Sequence, residues 1–289
     1  MMEHVPTVRG RQLGEGLRAV IEEAGLTGKQ LARELGWSQS EVSRMLTGNR
    51  RVKEIEVAKV LGRCRVTGAD EERLLKLCEE ANKPGWYVRH HSAPALTTFI
   101  DHEDKATALY DYQTMLLPGS IQTGDYARAV ISQNADIPAD VADSRVAMQL
   151  ARSGIFTRPG AAEFHYFLHE FVLHLPVAAP QVMSDQLHHL LRLSVRSNIS
   201  IRVLPIRAGL RAGVIGSFTL MEFDGIRPVA YKEADTAEIF LDEPKEIATY
   251  RKFIGSLVQT ALSEAQSRDL IGSLAVELYQ AREERDEDP

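Results

Sequence analysis

Two helix starts only eleven residues apart constrain this chain more than any other feature of its sequence. Thr27-Gly28-Lys29-Gln30 and Ser38-Gln39-Ser40-Glu41 both carry the capping-box pattern. In that pattern a Ser or Thr hydroxyl accepts from the backbone N–H three residues on, and the Gln or Glu there accepts from the cap's own N–H. The spacing leaves room for one helix of about two turns and a tight joint, and Gly36 falls where that joint needs positive φ. Leu31, Ala32 and Leu35 mark the inner face of the first short helix, and Val42, Met45 and Leu46 that of the second, which ends at Gly48-Asn49. A preceding helix over 11–24 puts Leu13, Leu17, Val20 and Ile21 on one face and stops at Gly25. Two more helices are predicted at 53–61 and 69–81, which makes an all-α segment of five helices.

Two short capped helices crossing at a glycine turn and packed on a third form a helix-turn-helix. Ala32 is small where the two must cross, and Gln39, Ser40, Ser43 and Arg44 stay polar on the outer, N-terminal part of the second. Those positions enter a major groove, where Gln pairs with adenine and Arg with guanine. The competing reading is a helical bundle whose exposed face is merely polar.

Charge supports the first reading once it is divided along the chain. The whole chain has 34 Lys+Arg against 40 Asp+Glu, a net −6 that by itself argues against a nucleic-acid partner. Up to Arg89 there are 16 basic and 13 acidic residues, and beyond it 18 basic and 27 acidic. Residues 44–65 hold Arg44, Arg50, Arg51, Lys53, Lys59, Arg63 and Arg65 against only Glu54 and Glu56. Fields are screened over roughly 8 Å at physiological salt, so a local surplus attracts phosphate whatever the distant average. Two cysteines, Cys64 and Cys78, exclude a disulfide scaffold and fit a cytoplasmic protein. No apolar run reaches membrane-span length, so no membrane partner is expected. The first twenty residues carry Glu3, Arg9, Arg11, Glu15 and Arg18, so no secretory leader is expected.

Residues 27–48, TGKQLARELGWSQSEVSRMLTG, resemble the helix-turn-helix of the Cro-like XRE regulators. The resemblance implies base contacts from Gln39, Ser40, Ser43 and Arg44. It implies phosphate contacts from Lys29, Gln30, Arg50 or Arg51, and Lys53 adjoins them in the basic run. Many such relatives have Gln where this chain has Gly28 and Glu where it has Leu46.

Lys83-Pro84-Gly85 breaks the helical pattern, so a domain boundary is predicted near 82–90. The division expected is 1–82 for DNA reading, 83–110 as connecting segment, 111–281 as a signal- or partner-binding domain and 282–289 as a charged tail. Helices are predicted at 102–115, 125–132, 139–152, 180–195, 244–262 and 267–285. Strands are predicted at 163–168, 199–204, 216–223, 228–232 and 237–241, with Asp224-Gly225 as a hairpin turn, which makes this larger domain α+β. PGSIQTGDYARAV, QVMSDQLHHLL, NISIRVLP, GSFTLMEF and PVAYKE resemble the C-terminal domain of antitoxin-like XRE regulators related to WhiJ. That resemblance implies a regulator encoded beside a small cognate protein that binds this domain and alters DNA binding.

Chemistry of other kinds is weakly signalled. His165, His169, Glu170 and His188-His189 do not follow a metalloprotease order, so neither a metal nor a catalytic residue is expected. Gly209, Gly213 and Gly216 lack the Lys-Ser or Lys-Thr of a nucleotide loop, so no cofactor is expected. Gln122 and Thr123, after the Pro118-Gly119 turn, are candidates for a ligand or partner contact, with plain packing the stronger alternative. The expected protein is thus a homodimeric transcriptional regulator on a palindromic double-stranded DNA site, not an enzyme. The alternatives are a regulator sensing a small molecule in the C-terminal domain, or a His-dependent metal enzyme.

Overall fold

A computed structural model describes residues 8–82, 86–89, 94–133, 138–158, 160, 162–209, 216–234 and 237–286. The expected break at Lys83-Pro84-Gly85 and the loop residue Gly213 lie outside the described residues.

The N-terminal head is all-helical: α1 (Val8–Glu23), α2 (Gly28–Leu35), α3 (Gln39–Leu46), α4 (Glu54–Cys64) and α5 (Ala69–Ala81). Both capping boxes form. The Thr27 hydroxyl accepts from Gln30 N–H at 3.3 Å while Thr27 N–H donates to Gln30 Oε1 at 2.8 Å. Ser38 and Glu41 make the same exchange at 3.2 and 2.8 Å. Gly36 ends α2 at φ 68°. Leu13, Leu17, Val20, Ile21, Leu31, Ala32, Val42 and Met45 meet in one buried core with Val57, Val60, Leu61 and Leu74. Each Leu, Ile, Val or Met side chain among them contributes roughly 1.5–3 kcal/mol by leaving water. Helix α1 lies so close to the end of α3 that a Cβ on Gly14 would stand 2.3 Å from the Leu46 carbonyl oxygen, so only glycine fits there.

The body is a seven-stranded mixed sheet in the order β1-β7-β6-β5-β2-β3-β4. Its strands are β1 (Trp86–Arg89), β2 (Ala108–Gln113), β3 (Glu163–His169), β4 (Ile199–Leu204), β5 (Phe218–Glu222), β6 (Val229–Ala234) and β7 (Ala237–Leu241). The helices are α6 (Pro94–Lys105), α7 (Gly124–Ser132), α8 (Ala139–Arg152), α9 (Glu170–His174), α10 (Pro180–Leu193), α11 (Pro244–Thr260) and α12 (Glu264–Asp286). Strands β2, β3 and β4 run parallel through helical crossovers, whereas β5, β6 and β7 form an antiparallel meander closed at its edge by β1. Gly225 makes the β5–β6 turn at φ 68°.

The two faces of the sheet are covered unequally. Leu109, Phe164, Tyr166, Leu168, Ile201 and Val203 join α6, α7, α9, α10 and α12 in the larger core. Tyr112, Phe167, Leu204, Phe218 and Leu220 pack under α11. Arg202 of β4 fixes the end of that helix by donating to the carbonyls of Val258, Ala261 and Leu262 at 2.8, 2.9 and 2.8 Å. The last turn of a helix leaves carbonyls without intrahelical donors, and one guanidinium supplies three.

The fold class therefore stands as expected: a five-helix head and a larger domain of helices and strands. The predicted helix over 102–115 is corrected. α6 stops at Lys105, and Ala108–Gln113 is the central strand, paired with both β3 and β5. The segment 83–110, expected as a connector, holds the edge strand β1, all of α6 and the first part of β2. Being covered on both faces, β2 shows no alternation of polar and apolar residues to mark it as a strand.

Candidate nucleic-acid interface

Helix α3 is capped at Ser38, and its Val42 and Met45 are sunk in the core at 2% and 0% exposure. That orientation leaves Gln39, Ser40, Ser43 and Arg44 exposed together on its outer side. Arg44 donates across one helical turn to the Ser40 hydroxyl at 3.4 Å. Hydrogen bonds from the Ser38 hydroxyl and N–H hold the Glu41 carboxyl below its ordinary range, so the cap keeps its charge. A negative group there suits the positive end of the helix dipole.

Gln39 and Ser43 also line a shallow groove with Arg18, Gly28, Lys29, Val42, Leu46 and Thr47. The missing side chain at Gly28 opens this groove, since a Cβ there would only touch Val42 Cγ1 at 3.6 Å and Leu46 Cδ1 at 3.9 Å. Arg18 is a residue the sequence reading missed. It lies on α1, reaches the Leu46 carbonyl at 3.3 Å and adds a cation beside Lys29. Its sole sequence signal is a polar position on an otherwise core-forming helix, which is too common to single it out.

The expected phosphate contacts divide into two groups. Lys29, Arg51 and Lys53 are exposed. Gln30 is exposed too, but its Oε1 serves the Thr27 cap, which leaves its Nε2 amide as the group able to donate outward. Arg50 is different. Four of its five N–H donors go to the Glu41 carbonyl, the Arg51 carbonyl and both oxygens of Glu56. Burial opposes the Glu56 charge, but the bonds from Arg50 and Lys53 N–H prevail and hold its carboxyl below the ordinary range. Arg50 thus braces the loop between α3 and α4, and Arg51 and Lys53 are the cations left outward.

In the body, Gln122 and Thr123 have structural work. Gln122 is 7% exposed and its Nε2 donates to the Leu117 carbonyl at 2.7 Å. Thr123 caps α7 through Tyr126 N–H, and the buried Gln186 of α10 spans the turn, taking Thr123 N–H at 2.6 Å and giving to the Ile121 carbonyl at 2.9 Å. The histidines do not converge. His165 stacks on Tyr110 at 4.7 Å, His169 accepts from Phe171 N–H at the start of α9, and His188 Nδ1 lies 2.9 Å from the Ser184 carbonyl. Among the described residues no group of three or more His, Cys, Asp or Glu could hold a metal ion. No helix among them is long and apolar enough to cross a membrane.

A helix-turn-helix head carrying an exposed polar recognition face, joined to a mixed-sheet body, is the class that this fold and surface define. Residues 12–74 match a family described as a helix-turn-helix domain, and residues 96–273 match one described as a domain of unknown function, DUF5753. The second match spans more than half of the chain, which therefore belongs to the DUF5753 family. No curated protein matches the chain. Among solved structures, one of TrmBL2, an archaeal chromatin protein described as showing a novel mode of DNA binding, is similar at 10% identity, covering 78% of this chain and 71% of that one with a TM-score of 0.30.

Proposed function

We propose that this chain is a sequence-specific DNA-binding transcriptional regulator of the XRE type, antitoxin-like, with a body that receives the controlling signal. One observation carries the reading: the outer face of α3 presents Gln39, Ser40, Ser43 and Arg44 while its inner face is core. In the proposed complex Gln39 and Arg44 read base edges, with Ser40 and Ser43 beside them, and Lys29, Gln30, Arg51 and Lys53 fix the register on phosphates. Arg50, expected as a further phosphate contact, acts in this reading chiefly by holding Arg51 in place. One small head offers limited contact area, so a homodimer on a palindromic site is the proposed binding unit.

The reader is residues 1–82. The receiver is the mixed-sheet body, and it takes in β1 and α6 as well as the stretch 111–281. Its signal, on the resemblance to WhiJ-related regulators, is a small cognate protein encoded nearby. Footprinting on DNA upstream of the chain's own gene, with and without the product of an adjacent small gene, tests both halves. Protection that the small protein shifts supports the reading. Protection that it leaves unaltered removes the partner, and no protection anywhere in that DNA removes the regulator.

A further inference from the structure

One helix touches both regions with different faces. On one side of α6, Asp101 accepts from Gln12 of α1 at 2.9 Å, and Lys105 bridges Asp101 and Glu15 of α1 at 3.0 and 3.2 Å. On the other side Glu103 is 3% exposed and holds Arg152 of α8 by two bonds, 2.8 and 3.0 Å long. Arg152 also donates to Gln149 and lies 5.1 Å from the centre of the Phe99 ring, again on α6. Beneath this bridge sits Asp111 of the central strand, 5% exposed, with Gln113 Nε2 donating to it at 2.8 Å. In strand register it stands opposite Tyr166 of β3 and Thr219 of β5.

From these contacts we infer that α6 is a relay, through which proton loss at Asp111 loosens the Glu103–Arg152 bridge and changes how α6 holds α1 of the head. The groups facing Asp111 set the balance. Burial is the largest influence and raises its carboxyl, as does the nearby Glu103 carboxylate, while Gln113, Arg152 and Thr219 pull the other way, and together they leave it at about 7. Tyr166, whose hydroxyl pairs with Ser120 at 3.0 Å, and Tyr231 of β6, which also feels Asp111 and Arg152, are both pushed well above their ordinary value by burial and stay neutral. Near neutral pH Asp111 therefore exchanges its proton. Once ionised it repels Glu103 and competes with it for the Arg152 guanidinium, so the anchor of α6 weakens. Asp101 and Lys105 lie on the same rigid helix and move with it.

The test needs no DNA, so its failure is separate from failure of the regulator reading. Hydrogen exchange on the full chain at pH 6 and pH 8, corrected for intrinsic rates, reports the opening of α1 and α6. In the parent, protection of both helices is expected to fall at least threefold at pH 8. Asp111→Asn, nearly isosteric and neutral, is expected to keep the pH 6 protection at both values. Replacing Gln12 and Lys105 by Ala is expected to leave the change in α6 and abolish it in α1. A parent whose α1 protection ignores pH overturns the relay. So does a change in α1 that survives Asp111→Asn or outlasts loss of the Gln12 and Lys105 contacts.

Discussion

In the head, Lys29, Arg44, Arg51 and Lys53 stand exposed around a core of apolar side chains. In the body, Glu103, Asp111 and Arg152 are sealed between helices and sheet, at 3%, 5% and 9% exposure. The head keeps these four cations in water, where they can meet a phosphate and cost the fold little. The body takes charge out of water, which is expensive unless each group is answered. Glu103 and Arg152 answer one another; Asp111 has the neutral Gln113 amide and keeps its proton up to about pH 7. Surface charge of the first kind suits binding, and buried charge of the second kind suits a change of state.

Four substitutions would break or sharpen that contrast. The largest effect is expected from Arg152→Ala, which leaves Glu103 buried without its partner. A loss of about 3–5 kcal/mol in denaturant unfolding is the usual cost, and a loss below 1 kcal/mol would mean that the bridge is not sealed. Next is Asp111→Asn, with a sign that depends on pH. The folded state raises this carboxyl from 3.8 to about 7, so it holds the proton more tightly than the unfolded chain does. The stability it contributes is fully present below about pH 4 and is lost as pH rises toward 7. The variant should therefore match the parent at pH 4 and exceed it at pH 8 by an amount on the order of 4 kcal/mol. Equal stability of the two at pH 8 would show that the site admits water.

In the head the expected effects are smaller and of another kind. Arg44→Ala should cost about 1–3 kcal/mol of DNA binding and relax base preference at one position, leaving the unfolding curve in place. Unchanged affinity and preference in an anisotropy titration would remove Arg44 from the reading face. Smallest is Ser38→Ala, which removes the hydroxyl that caps α3. A loss of about 1 kcal/mol in thermal unfolding is expected, and no loss would show that the Glu41 bond alone suffices.

The same contrast explains what could be read from sequence. Head signals are local: a cap and its partner three residues on, a glycine stop, an apolar stripe with helical period. Each is visible within one turn of chain, so the five helices and the exposed face of α3 were legible. Arg50 was legible as a cation but not as a brace, because its partner Glu56 takes it up only after the α3–α4 loop has folded. In the body, the predicted strands 199–204 and 237–241 coincide with β4 and β7, and Asp224-Gly225 with the β5–β6 turn. The central strand did not. Tyr110, Asp111 and Tyr112 show no alternation because neighbours cover both faces, and the polar Asp111 points to a buried cluster assembled from α6, α8, β2, β3 and β5. Such a cluster is a property of the packed sheet, with no motif at any fixed spacing.

Strand β1 pairs with β7, so Trp86 stands opposite Phe240 across most of the body's sequence. A ribosome delivers these two partners far apart in time. The head, whose contacts are local, can fold as soon as it emerges, whereas the sheet cannot close its edge until β7 and the helices after it have left the exit tunnel. During that interval β1, awaiting β7, and the central strand β2, awaiting β3 and β5, are open to other chains. Slowing translation after Leu204 is accordingly expected to raise aggregation more than slowing it within the head.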